Sequence, residues 1–109
     1  MKWEELEKSL DEETFLVIDI AREFLTQYFG SSDSEARTQI AELLTRFPDA
    51  FDEDGIHRDS SYGVAASASY LIGQNGSLRE LSQWMYENGH NRVPRDALEH
   101  FNSRYFGSS

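Results

Sequence analysis

The chain contains no cysteine. That absence excludes disulfides, thiolate metal sites and a cysteine nucleophile, and it is compatible with a reducing compartment. With only two prolines, little stops helices from extending. No stretch shows the sustained period-two alternation of a strand. The longest apolar cluster, residues 15–18, falls far short of the ~20 residues that a bilayer-spanning helix needs. The start, M-K-W-E-E-L-E-K, lacks the apolar run of a signal peptide, which predicts a cytoplasmic protein. Basic residues are scarce: 10 Lys and Arg stand against 20 Asp and Glu, a net charge of −10. Such a charge repels phosphate backbones and anionic lipid, so neither nucleic acid nor a membrane is an expected partner, and it draws basic proteins inward.

What remains is a foldable chain. An apolar content of 39% with 13% aromatics is too rich for disorder, and 109 residues suit one domain, 1–109, with a single core. Apolar residues recur at helical spacing throughout. Trp3, Leu6 and Leu10 mark a short first helix. Val17, Ala21, Phe24 and Tyr28 carry a helix from about Leu10 to Phe29, ended by Gly30. Ala36, Ile40, Leu43, Leu44 and Phe47 carry another, stopped by Pro48. The pairs Ser9/Glu12, Ser32/Glu35 and Ser77/Glu80 each match the capping box, in which each side chain satisfies the other residue's free backbone N–H.

After a connector of about ten residues with Gly55 as its turn, Asp59 or Ser60 is placed to cap a helix of unusual composition. Gly63, Ala65, Ala66, Ser67, Ala68 and Ser69 give it a nearly bare surface that lets neighbours approach closely. Leu78, Leu81, Trp84 and Met85 predict a buried stripe on the next helix, closed at Asn88-Gly89. Pro94 opens the last, which runs through Ala97, Leu98, Phe101 and Tyr105. The tail Gly107-Ser108-Ser109 is expected to fray. The prediction is all-α: a compact bundle of about five helices around a small-residue central helix.

Motifs for chemistry are incomplete. In a calcium-loop frame Asp52, Asp54 and Gly55 take positions 3, 5 and 6, but Ala50 and Ser61 then stand where two essential ligands belong. Glu87-x-x-His90 occurs once, whereas di-iron bundles use the motif twice with two more glutamates. His57, His90 and His100 form no i, i+4 zinc pair and are expected as exposed polar residues. There is no G-x-S-x-G elbow and no phosphate-binding loop. A helical hairpin over 77–106 resembles a DNA-reading unit, but its arginines are cancelled by neighbouring acids. No metal, cofactor or catalytic residue is assigned.

The acidic residues are the lead. Residues 1–59 hold 16 Asp and Glu against 6 Lys and Arg, while residues 60–109 hold 4 of each, so the whole net charge belongs to the first part. Acids in first turns favour helix dipoles, which accounts for Asp11, Glu12, Glu13, Asp33 and Glu35. Asp49, Asp52, Glu53, Asp54 and Asp59 lie within eleven residues and, read as an exposed loop, have no such explanation. They make sense if they meet a cation, with the aromatics Phe51 and Tyr62 beside them as apolar anchors. These seven residues form the expected partner-binding site.

A small, cysteine-free, acidic, all-helical chain with a charged loop resembles, in overall profile, the bacterial immunity proteins of contact-dependent growth inhibition and colicin-type systems. The resemblance implies a monomer that forms a 1:1 complex with a basic nuclease toxin domain, its carboxylates imitating phosphate and blocking the toxin's active site. A helical scaffold or regulatory subunit, or a small enzyme or ligand-binding domain using clustered carboxylates, are the alternatives.

Overall fold

A two-residue link sets the geometry at the start. The structure, a computed structural model, describes residues 2–107. Helix α1 (Trp3–Ser9) buries Trp3 and Leu6 against a later helix and ends where the Ser9 hydroxyl donates back to the Glu5 carbonyl at 2.6 Å. Ser9 is thereby the last residue of α1 and cannot cap α2 (Glu12–Tyr28). Asp11 does so instead, its carboxylate accepting the Thr14 N–H at 3.2 Å, so the expected Ser9/Glu12 box does not form. The Ser32/Glu35 box does form: the hydroxyl accepts the Glu35 N–H at 3.1 Å and the glutamate accepts the Ser32 N–H at 3.0 Å. It opens α3 (Asp33–Arg46), and Phe47 and Pro48 follow its end. Between α2 and α3 the chain turns through Gly30 at φ 75°, a left-handed conformation that glycine adopts without steric cost.

The next helix departs from expectation. Helix α4 (Glu53–Ala68) begins inside the acidic stretch, which shortens the connector to residues 47–52. Asp52 caps it by accepting the Gly55 N–H at 2.7 Å, and Glu53 and Asp54 fill its first turn. Gly55 is therefore a helical residue. A Cβ there would collide with the carbonyl oxygen of Ala50, so glycine lets the connector fold down onto the helix start. The helix breaks once, at Ser60 (φ 62°, ψ −179°), where the sequence places a cap. Beyond the break every residue from Ser61 to Ala68 except Gly63 is buried.

The core lies between α2 and the second half of α4, the most extensive helix–helix contact of the fold. Val17, Ile18, Ile20, Ala21, Phe24 and Leu25 of α2 meet Val64, Ala65 and Ala68 of α4, with Ile40 and Leu43 closing from α3. Burial of each large side chain contributes about 1.5–3 kcal/mol. The centre is thus shared: α2 supplies the bulk and α4 the small surface it packs against. After α4 a π-helical turn (Ser69–Gly73) and a 3₁₀ turn (Leu78–Glu80) lead to α5 (Leu81–Glu87) and α6 (Arg95–Tyr105).

There are six α-helices rather than about five, and no strand among the described residues. The radius of gyration, 12.8 Å, matches the ~13 Å expected of a compact chain of this length. The stripe of Leu78, Leu81, Trp84 and Met85 is not buried as expected: α5 has no fully buried residue, and Leu78 is 45% exposed. Ser77 accepts the Arg79 N–H at 3.2 Å and forms no box with Glu80. On α6 only Ala97 is buried, and Leu98 is 49% exposed. The expected fraying of Ser108 and Ser109 lies outside the described residues.

Candidate functional site

Many of the carboxylates are occupied. On α2, Asp19 pairs with Arg22 at 2.9 Å and with Arg104 of α6 at 3.2 Å, and Glu23 meets both Arg104 and His100, the latter at 3.1 Å. Burial alone would raise the Asp19 pKa, but the hydrogen bonds from Arg22 and Arg104 outweigh it and hold the carboxyl below its usual range. Arg22 reaches on to Asp33 at 2.6 Å, and Arg37 pairs with Asp33 at 3.0 Å. These groups clasp α6 and α3 to α2. His100 is therefore a partly buried partner rather than the exposed residue expected.

The stretch from Asp49 to Asp59 is different. Asp49, Asp52, Glu53 and Asp54 are exposed, and none of these four has an ion-pair partner among the described residues. Asp59 is half-buried and, among the described residues, pairs only with its neighbour Arg58, at 3.4 Å. Because the first turn of α4 lies here, Asp52, Glu53 and Asp54 also favour the helix N-terminus, contrary to the loop expected from sequence. Their position is fixed from below. Thr14, fully buried, bonds through Oγ1 to His57 Nε2 at 2.9 Å, tying the first segment of α4 to the start of α2. That distance suits a nucleophile and its base. A hydroxyl closed off from solvent meets no substrate, so the pair is a tether.

The two aromatics expected as exposed anchors are not exposed. Phe51 is 4% and Tyr62 5% accessible. Phe51 faces the core because the connector folds inward over Gly55. Tyr62 packs against Phe24, Tyr28 and Phe29, and its hydroxyl lies 3.0 Å from His90 Nδ1. Burial raises the Tyr62 pKa and lowers that of His90. The ring of His90 also touches Phe29 and Trp84, with centroids at 4.8 and 5.1 Å, so it fastens the α5 end of the chain to the core. This histidine was expected to be exposed; its partner lies 28 residues away, beyond any local spacing signal.

Beside the carboxylates runs a groove of about 450 Å³ between α4 and α5. Asp59, before the break, and Gly63 and Ser67, one turn apart after it, form one side; Leu78, Leu81, Ser82 and Met85 form the other. Ala50, Phe51 and Arg58 close the end at which the acids cluster. The sequence signal for this groove was present, in the one-turn spacing of Gly63 and Ser67, but it reads equally as helix packing. A larger concavity, about 590 Å³, lies between α1 and α3 around Trp3, Arg37, Thr38 and Arg46. Its arginines are held by Asp33 and Glu42 one turn away, each at 3.0 Å.

Among the described residues no three His, Asp or Glu side chains converge as metal ligands, and no helix is long and apolar enough to cross a membrane. Comparisons with protein-family models, with curated proteins and with solved structures give no match.

Proposed function

We propose that this chain is an acidic binding protein that neutralises a basic partner, acting as an immunity protein that covers the active site of a nuclease toxin domain. The observation that carries the reading is the set Asp49, Asp52, Glu53 and Asp54: exposed, without ion-pair partners among the described residues, and mounted on a helix start that buried contacts hold in place. Asp19, Glu23, Asp33 and Glu42 on α2 and α3 each meet an arginine, whereas these four, like Glu12 and Glu13 at the start of α2, meet none among the described residues. Four unpaired carboxylates at one helix end create a local negative potential that accelerates encounter with a cationic surface. Contact falls on Asp49, Asp52, Glu53, Asp54 and Asp59; Phe51 is buried among them as support rather than as an anchor, and Tyr62 serves the core against Phe24, Tyr28 and His90. The protein acts as a cytoplasmic monomer in a 1:1 complex, without cofactor or catalysis of its own.

The test pairs the chain with basic nuclease domains, beginning with any that is encoded beside its gene. A 1:1 complex with one of them in size-exclusion chromatography and loss of that domain's nuclease activity are expected, with an association rate that falls steeply as salt rises. The variant D52N/E53Q/D54N keeps an adequate cap, since Asn caps as well as Asp, and it is expected to slow association by about tenfold or more. An unchanged, salt-independent rate in that variant would sink the reading.

A further inference from the structure

The groove between α4 and α5 has a shape and a charge pattern that specify an occupant more narrowly than "basic protein". Each side carries a pair one helical turn apart: Gly63 and Ser67 on α4, with Asp59 before the break at Ser60, and Leu81 and Met85 on α5, with Leu78 from the preceding 3₁₀ turn. A channel between two helices admits a third, seated through side chains at i, i+3, i+4 and i+7. The side formed by α4 is low, because Gly63 has no side chain and Ser67 a short one, and the opposite side is aliphatic. Since α5 has no fully buried residue, Leu81 and Met85 keep an open side facing the channel. The volume, about 450 Å³, exceeds that of a single side chain and lies in the ~300–1,000 Å³ range of binding clefts.

Charge fixes the rest. The end of the channel is formed by Ala50, Phe51 and Arg58, whose chain neighbours are the exposed acids Asp49 and Asp52 and the half-buried Asp59. Arg58 stands at that end beside Asp59, at 3.4 Å, and no cation among the described residues pairs with Asp49 or Asp52, so the end keeps an excess of negative charge that disfavours an occupant with acidic flanks. One with basic flanks would find a partner for each charge. We infer that the groove receives the apolar face of a short amphipathic helix of the partner, with Lys or Arg on its flanks reaching Asp49, Asp52, Glu53 and Asp54. This inference rests on the reading of a basic partner given above and adds how that partner is gripped.

The probe is a synthetic helix of about 14 residues, roughly four turns, with Leu at one-face spacing and Lys elsewhere, set against a scrambled peptide of identical composition. Titration into the isotope-labelled full chain, followed by amide shifts, is expected to perturb Ala50, Gly63, Ser67 and Ser82. The ordered peptide should bind at least about tenfold more tightly than the scrambled one. Ser82 is exposed, so Ser82→Trp covers the groove without touching the core, and it should abolish that advantage. D52N/E53Q/D54N should weaken both peptides alike.

Equal binding of the two peptides, or indifference of the ordered one to Ser82→Trp, overturns the groove inference; if the acid variant still weakens both peptides, the reading of an acidic binding site survives without it. Indifference of both peptides to the acid variant overturns the basic occupant and the underlying reading together. Self-association of the chain through the same amides would replace the partner helix with a second copy and likewise overturn the proposal.

Discussion

Ser61 donates a 2.6 Å hydrogen bond from its buried hydroxyl to the backbone carbonyl of Val17, and the residue just before it, Ser60, is held at φ 62° and ψ −179°. The two facts belong together. The hydroxyl bond pins the first turn of the small-residue segment to α2, while Asp52, Gly55 and His57 pin the preceding segment independently. Ser60 absorbs the mismatch between them in a region of conformational space that is essentially reserved for glycine.

Replacing Ser60 by glycine therefore relieves strain. Such backbone positions cost roughly 1–3 kcal/mol in a non-glycine residue, and the added freedom of glycine in the unfolded chain takes back about 0.5–1 kcal/mol. Ser60→Gly is expected to stabilise the protein by about 1 kcal/mol. Urea unfolding should show a higher midpoint at an unchanged slope; a lower midpoint would mean that the conformation is not strained.

The opposite substitution at Gly55 should fail. A Cβ at this position runs into the carbonyl oxygen of Ala50, a backbone atom that cannot move aside as a flexible side chain does. Gly55→Ala is expected to cost about 1–3 kcal/mol, in the range of overpacked cores. Amide exchange should then quicken first at Asp54 to Ile56, where α4 begins. Unchanged stability would place the connector elsewhere.

Acidification should release the clamp around His90. Burial lowers the pKa of this histidine from its usual 6.5, so the folded state binds its proton less readily than the unfolded state does. Stability from this site is complete above pH 6.5 and is lost as pH falls from there through the folded pKa. His90→Gln removes the group, and its stability should respond less to pH between about 7.5 and 5.5 than that of the parent chain. Parallel curves for the two proteins in urea titrations would contradict it.

How far the sequence could be read depends on what each element uses as its signal. Helices α2 and α3 announce themselves because their buried residues recur at three and four, and because Ser32 with Glu35, Gly30 and Pro48 mark ends through local chemistry; α6 shows itself through Pro94 just before its start and the apolar spacing of Ala97, Phe101 and Tyr105. The short α1 shows its apolar face through Trp3 and Leu6. Ser9 misled because a capping signal carries no information on whether the serine is still inside the preceding helix. The stretch before Asp59 misled for another reason. Five acids look like a solvated loop, and they conceal that Phe51 and Ile56 are buried, at 4% and 1% accessibility. Here the acids are themselves the helix start, with Asp52 as cap and Glu53 and Asp54 in the first turn, and Gly55 lets the connector fold against it at Ala50. The candidate site was legible as charge and not as shape: Asp49 through Asp54 stand out in any reading, whereas the groove depends on α5 resting beside α4. The pairing of Tyr62 with His90 helps hold it there, and no local pattern encodes that pairing.

The fit of Gly55 beneath Ala50 has one further consequence. The start of α4 is set by the close approach of the Ala50 carbonyl and by the Asp52 carboxylate on the Gly55 N–H, with Glu53 and Asp54 favouring the same helix end through its dipole, while Asp49 lies outside the helix in the connector. Charge at Asp49 can therefore be changed with less effect on the start of α4 than charge at Asp52, whose carboxylate is the cap.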